Sequence, residues 1–222
     1  MPYPPSGKPQ PYSSQGTFTF HTSRSAAGPW TPRTVQIEYP CWGLNLTPSP
    51  AFHPNGTMII AFHCDLSMCD VAFVSAPSWK GPFKKSGLSR IQVQVPPADG
   101  GFGVHPHAED PFFWIAVNGE QVSWHVVLHN TPRGVHFFSS DGLTWKLQQK
   151  LDAKGNPQGP FFFDEHITYT DSTKVSVSRR ERPWILFSES GAPRLLVTSM
   201  AGGRSDNQSG VWTMAQAVKG AK

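Results

Sequence analysis

The stretch His105-Pro-His-Ala-Glu-Asp-Pro-Phe-Phe-Trp114 sets two imidazoles and two adjacent carboxylates just ahead of Pro111, and an aromatic run follows. Carboxylates are scarce here, with 15 Asp and Glu among 222 residues, so a neighbouring pair stands out. Such a pair is costly to assemble unless it is neutralised or used. The chemistry open to Glu109 and Asp110 is proton donation to a leaving group, or hydrogen bonding to sugar hydroxyls. The bland alternative is a carboxylate that caps the start of a strand or pairs with an arginine. His105 and His107 would share one face of a strand, where they could bind a sugar or, with Asp110, a metal. No third ligand at convincing spacing accompanies them, so neither a metal nor a cofactor is expected.

The elements that would position these groups are strands. Thr17 to Thr22 alternates polar with apolar residues. Asn55-Gly56 marks a turn between Ser49–His53 and Thr57–His63, and Val71–Ser75 follows. Asn118-Gly119 is a second hairpin turn. Beyond it, Val122, Trp124, Val126 and Leu128 share one face, and Ser123, His125, Val127 and His129 share the other. Further strands are read at Val135–Ser139, Val175–Arg180, Glu181–Phe187 and Arg194–Thr198, while the last 20 or so residues are weakly patterned. No stretch carries the period of 3.6 that a helix needs. Residues 1–16 are rich in Pro, Ser and Gly and read as a disordered arm. Residues 17–222 read as a single domain.

The strands recur. Pro50, Pro111 and Pro183 each open an apolar strand, followed by a turn at Gly56, Gly119 or Gly191 and a second apolar strand. The repeat is roughly 60–70 residues long. A second landmark interleaves with the first: Ser23…Gly28-Pro-Trp30, Ser75…Gly81-Pro-Phe83 and Ser139…Gly142…Trp145. Small antiparallel sheets packed face to face around an axis satisfy this pattern, because one such sheet cannot bury both faces alone. The expectation is an all-β fold of the β-propeller type, with Asp141 bonded to its own turn and Trp145 packed between blades. The residues just before each inner strand then face the channel mouth: Pro48-Ser49, Glu109-Asp110 and Glu181-Arg182.

Bulk properties narrow the classes. The net charge is +4, but the basic residues are dispersed and form no stripe, so nucleic-acid binding is not expected. No run approaches the roughly 18 apolar residues of a membrane span, and the N-terminus lacks the apolar core of a signal peptide. Cys64 and Cys69 could bridge a short turn, or all three cysteines, with Cys41, could be buried thiols.

These motifs, in their order, resemble the family 43 glycoside hydrolases and their relatives, the five-bladed propellers that include arabinanases, levansucrases and invertases. The resembling residues are Gly28-Pro-Trp30, Trp79-Lys-Gly-Pro-Phe83, Glu109-Asp-Pro111, Ser139-Ser-Asp-Gly142…Trp145 and Arg180-Glu-Arg-Pro183. The resemblance implies inverting hydrolysis, in which an acid and a base carboxylate stand roughly 6.5–9.5 Å apart. It maps the acid to Glu109, with Asp110 as its like-charged neighbour. His107, Trp114, Glu181 and Arg182 then become candidate substrate contacts, although Trp114, Trp124 and Trp184 are also read as packing between blades, with one exposed indole left to stack on a sugar. The family's tuning aspartate falls at Ser49, and its base belongs to a first blade with no counterpart here. About three to four blades are expected. The two functions left open are a glycoside hydrolase and an inactive glycan-binding or structural propeller, each a monomer with a carbohydrate ligand. The resemblance also favours a secreted or endomembrane location.

Overall fold

The computed structural model describes residues 15–39, 47–63, 70–92, 109–130, 133–148, 161–201 and 211–218. Every regular element among them is a strand. The first sheet contains β1 (Gln15–Thr22), β2 (Thr31–Glu38), β3 (Ser49–Phe52), β4 (Met58–His63), β5 (Asp70–Ala76), β6 (Phe83–Lys85) and β7 (Ile91–Gln92). Strands β3 to β6 form an antiparallel meander, and the β1–β2 hairpin joins its outer edge through a parallel pairing of β2 with β6. The second sheet runs β8 (Glu109–Asn118), β9 (Gln121–Asn130), β10 (Arg133–Ser139) and β11 (Lys146–Leu147), with β12 (Phe161–Phe163) also paired to β10. A small hairpin, β13 (His166–Thr168) and β14 (Lys174–Ser176), precedes the third sheet of β15 (Arg179–Phe187), β16 (Pro193–Ala201) and β17 (Val211–Ala217).

The sheets stack as blades. One face of the first sheet gives Met58, Ile60, Phe62, Ala72 and Val74 to a cluster that the β1–β2 hairpin covers with Phe18, Val35 and Ile37. Its other face, with Ile59, Ala61, Val71 and Phe73, meets Phe113, Val126, Leu128, Val135 and Phe137 of the second sheet. The far face of that sheet, with Phe112, Trp114 and Val127, meets Ile185 and Leu196 of the third. The alternation in β9 therefore feeds two cores at once. The fold is all-β and of the propeller type, and three blades are present among the described residues.

Landmark residues do what their chemistry allows. Trp145 stacks on Phe73 with ring centroids 5.3 Å apart, and its indole N–H donates to the Ser89 carbonyl at 3.0 Å. Asp141 accepts from the Thr144 and Leu143 amides at 2.7 and 2.8 Å and from the Ser139 hydroxyl at 2.9 Å. Those amides hold its carboxyl well below the usual carboxylate range. Turn glycines Gly56, Gly119, Gly142 and Gly191 all have positive φ, a region that side-chain-bearing residues enter at a cost.

Four differences from the sequence reading have physical causes. Strand β1 begins at Gln15, inside the expected arm, because Gln15 and Gly16 pair with Glu38 and Ile37; residues 1–14 lie outside the described residues. The β1–β2 hairpin adds to the sheet of β3 to β6 through β6. Strand β2 buries only Val35 and Ile37, and its exposed half masks the period. Strand β17 is exposed along most of its length, which explains its weak pattern. Cys41, Cys64 and Cys69 lie outside the described residues.

Phe73 is 2% exposed and packs edge-on against Phe113 at 5.5 Å while stacking on Trp145. Phe73→Ala is expected to cost about 3–5 kcal/mol through lost burial and a residual cavity. A urea titration reads this as a lower midpoint with an unchanged slope.

Candidate functional site

Glu109 opens β8 opposite His129 of β9. In a regular strand, Asp110 would point to the other face. It does not, because the ladder slips between Glu109 and Phe112, and Asp110 takes φ 51°. This bulge turns both carboxylates toward His129. Asp110 Oδ2 lies 3.2 Å from His129 Nδ1, and Glu109 Oε2 lies 4.0 Å from His129 Nε2. The His129 side chain is 4% exposed, against 15% for Asp110 and 28% for Glu109. Nδ1 of His129 is within ion-pair distance of Asp110 but is not aligned for a hydrogen bond, and it has no other partner among the described residues.

The third blade repeats the device. Its ladder slips between Glu181 and Trp184, and Arg182 takes φ 51°, matching Asp110. Arg182 Nε reaches Asp110 Oδ2 at 3.8 Å across the blade boundary. Its side chain is 71% exposed. Two positions equivalent in the repeat, one acidic and one basic, therefore meet at one end of adjacent inner strands.

The remaining candidates separate. Glu181 is held by Arg179, whose Nε donates at 2.6 Å, so its carboxylate is engaged within its own strand. Trp114 is not at the mouth: it is buried in the core between the second and third blades, stacked on His125 at 4.8 Å and His136 at 5.1 Å. Its place on the inward face of β8 gives it that role instead of contact with a ligand. Trp184 is 52% exposed, two residues beyond Arg182, with its ring 4.9 Å from that of Phe112. His105 and His107 lie outside the described residues. Ser49, at the position of the family's tuning aspartate, is buried and accepts the Phe113 amide at 2.8 Å.

His129 is the residue that sequence reasoning missed, placing it only on one face of a strand. Its signal was present: it is the polar position of an alternating strand whose cross-strand partner in register is Glu109. Reading it needed the pairing of β8 with β9 and the bulge.

A second histidine group lies deeper. His125 Nδ1 and His136 Nε2 are 3.1 Å apart, and Ser123 Oγ is 2.9 Å from His125 Nε2. Burial pushes His125 down to about 4. Burial, then the neighbouring His125, pushes His136 down to about 3.

No protein-family model and no curated protein matches this chain. Among solved structures it is similar to the family 93 α-L-arabinofuranosidase of Fusarium graminearum in complex with arabinobiose, at 14% identity and a TM-score of 0.38. The match covers 77% of this chain and 43% of that one, so the chain spans less than half the length of the structure it matches. That enzyme is of family 93, whereas the motifs here resemble family 43. The blade assignment rests on the strand pairing and packing of this chain.

Two expectations follow. Ser49→Ala removes the acceptor of a buried amide and should cost about 1–3 kcal/mol in chemical denaturation. Below the ordinary histidine value of 6.5, unfolded His125 and His136 take up protons that the folded chain refuses. Stability should therefore be full above that value and fall as the pH drops from it toward about 4 and then about 3. Urea midpoints measured across this window should decline, and His136→Gln should flatten the decline.

Proposed function

We propose that this chain is a glycan-binding propeller of the glycoside hydrolase type, taking a carbohydrate at the blade ends that carry Glu109, Asp110 and Arg182. The observation that carries this reading is the meeting of Asp110 and Arg182 across two blades, 3.8 Å apart, with Glu109 beside them. Carboxylates accept from paired sugar hydroxyls, and a guanidinium donates to ring and hydroxyl oxygens in a planar fork. The exposed indole of Trp184 adds an apolar face close to Arg182, as sugar sites require of their walls.

Hydrolysis is the second reading, and the position of Glu109 favours it. Asp110 is engaged by His129 and Arg182, whereas Glu109 has, among the described residues, only a His129 nitrogen at 4.0 Å. A loosely held carboxyl beside a fixed carboxylate is the arrangement from which a general acid works. Inversion also needs a base carboxylate roughly 6.5–9.5 Å away across the channel. Ser49 supplies none, and Glu181 is bound by Arg179. These two facts put binding ahead of hydrolysis. Membership of family 43, a monomeric state and a secreted location belong to the same proposal.

The test is calorimetric titration with arabino-, xylo- and galacto-oligosaccharides, alongside hydrolysis of the matching chromogenic glycosides. Wild type should bind at least one of them, and Arg182→Ala and Asp110→Asn should each weaken binding about tenfold, or roughly 1.4 kcal/mol. Hydrolysis that disappears in Glu109→Gln, with binding kept, would promote the second reading. Wild type that neither binds nor cleaves any of these sugars would overturn both.

A further inference from the structure

We infer that Glu109, Asp110 and His129 form a binding site for a divalent transition metal ion of the zinc type. One donor atom from each lies within 4.8 Å of the other two. Two carboxylate oxygens and one imidazole nitrogen form a set that suits zinc and its first-row neighbours better than calcium, which takes oxygen almost alone.

The buried histidine is the independent observation. Its Nδ1 is fully enclosed and makes no hydrogen bond among the described residues, yet it lies 3.2 Å from Asp110 Oδ2. An orphaned polar atom in such a place is costly. The spacing is what a metal explains. Two ligands held about 2.0–2.1 Å from a tetrahedral zinc stand about 3.3 Å apart, with no need for the alignment that a hydrogen bond demands. Glu109, cross-strand from His129 and more open to solvent, stands nearer the other ring nitrogen, Nε2, at 4.0 Å, and supplies the third donor by turning its side chain toward Asp110. Three protein donors leave one tetrahedral position for water.

The third blade is an internal control. It has the same bulge and the same leading glutamate, but its middle position is Arg182 and the residue opposite Glu181 is Ser199. Among the described residues no ligand set forms there. Only where the histidine stands opposite does the bulge gather donors. Among the described residues Arg182 is the arginine at the proposed site, and with its side chain 71% exposed it can swing away from Asp110.

The proposal is independent of the glycan reading, and the experiment separates them. The full chain is stripped with a chelator and titrated with Co2+ as a spectroscopic probe and with Zn2+ by calorimetry. The expected result is one ion per chain, with d–d bands of a low-coordinate oxygen and nitrogen site and no thiolate charge-transfer band. Asp110→Asn and His129→Gln should each weaken binding at least tenfold with an unchanged far-ultraviolet circular dichroism spectrum. Should either fail to fold, Glu109→Gln, the most exposed of the three, should show the same loss. Arg182→Ala should bind the metal as tightly as wild type, or more so, although it loses the glycan. An absence of saturable binding, a thiolate band, or binding unchanged in the folded donor variants would overturn the site.

Discussion

The middle sheet has to bury both of its faces, and the rest of the structure follows from that. Strand β9 gives Val126 and Leu128 to one core and Val127 to the other. A sheet with two apolar faces is insoluble alone, so it needs a sheet on either side. Face-to-face stacking then sets the inner strands β3, β8 and β15 next to one another. The edge of β8 is closed in part by Ser49, which accepts the Phe113 amide from the neighbouring blade. Once β8 and β15 adjoin, the residues at their starts have to meet. The polar site is thus a by-product of where hydrophobic surface must go.

Polar groups survive between these sheets only where the packing supplies partners. Arg180 is 2% exposed, yet its guanidinium donates to Thr198 Oγ1, the Asp164 carbonyl and Gln216 Oε1 at 3.1, 3.1 and 2.8 Å. It also lies over the Phe163 ring at 4.8 Å. These neutral acceptors tie β15 to the other two strands of the third sheet and to the segment after β12. The Arg133–Glu165 pair does the same for β10, with two donated hydrogen bonds of 2.9 and 3.0 Å. The His125–His136 pair takes the other solution and remains uncharged, stacked on Trp114.

Much of the fold was legible because it is written in local chemistry. Gly at positive φ, Pro at strand starts, and the period of two in β1 and β9 all report the backbone directly. Strands that bury little, such as β2 and β17, left no such mark. The site was half legible. Glu109, Asp110 and Arg182 follow from the repeat, since the prolines number their positions. Trp114 could not be placed, because an inner-strand aromatic faces either the axis or a neighbouring blade, and only packing decides. His129 could not be found either. Its role depends on a one-residue slip in the ladder, and a bulge on a side-chain-bearing residue has no signature as plain as a turn glycine.

That slip occurs twice, with Asp110 at one bulge and Arg182 at the other, at the same φ of 51°. The backbone is therefore indifferent to which side chain the position carries. The flanking glutamate and proline recur, and the residue between them is a free variable. This separates two properties that are usually bound together. A blade can be copied whole, with its folding intact, and the copy can then change the charge it shows at the rim by altering one codon. Opposite choices in neighbouring copies also give each blade a preferred neighbour.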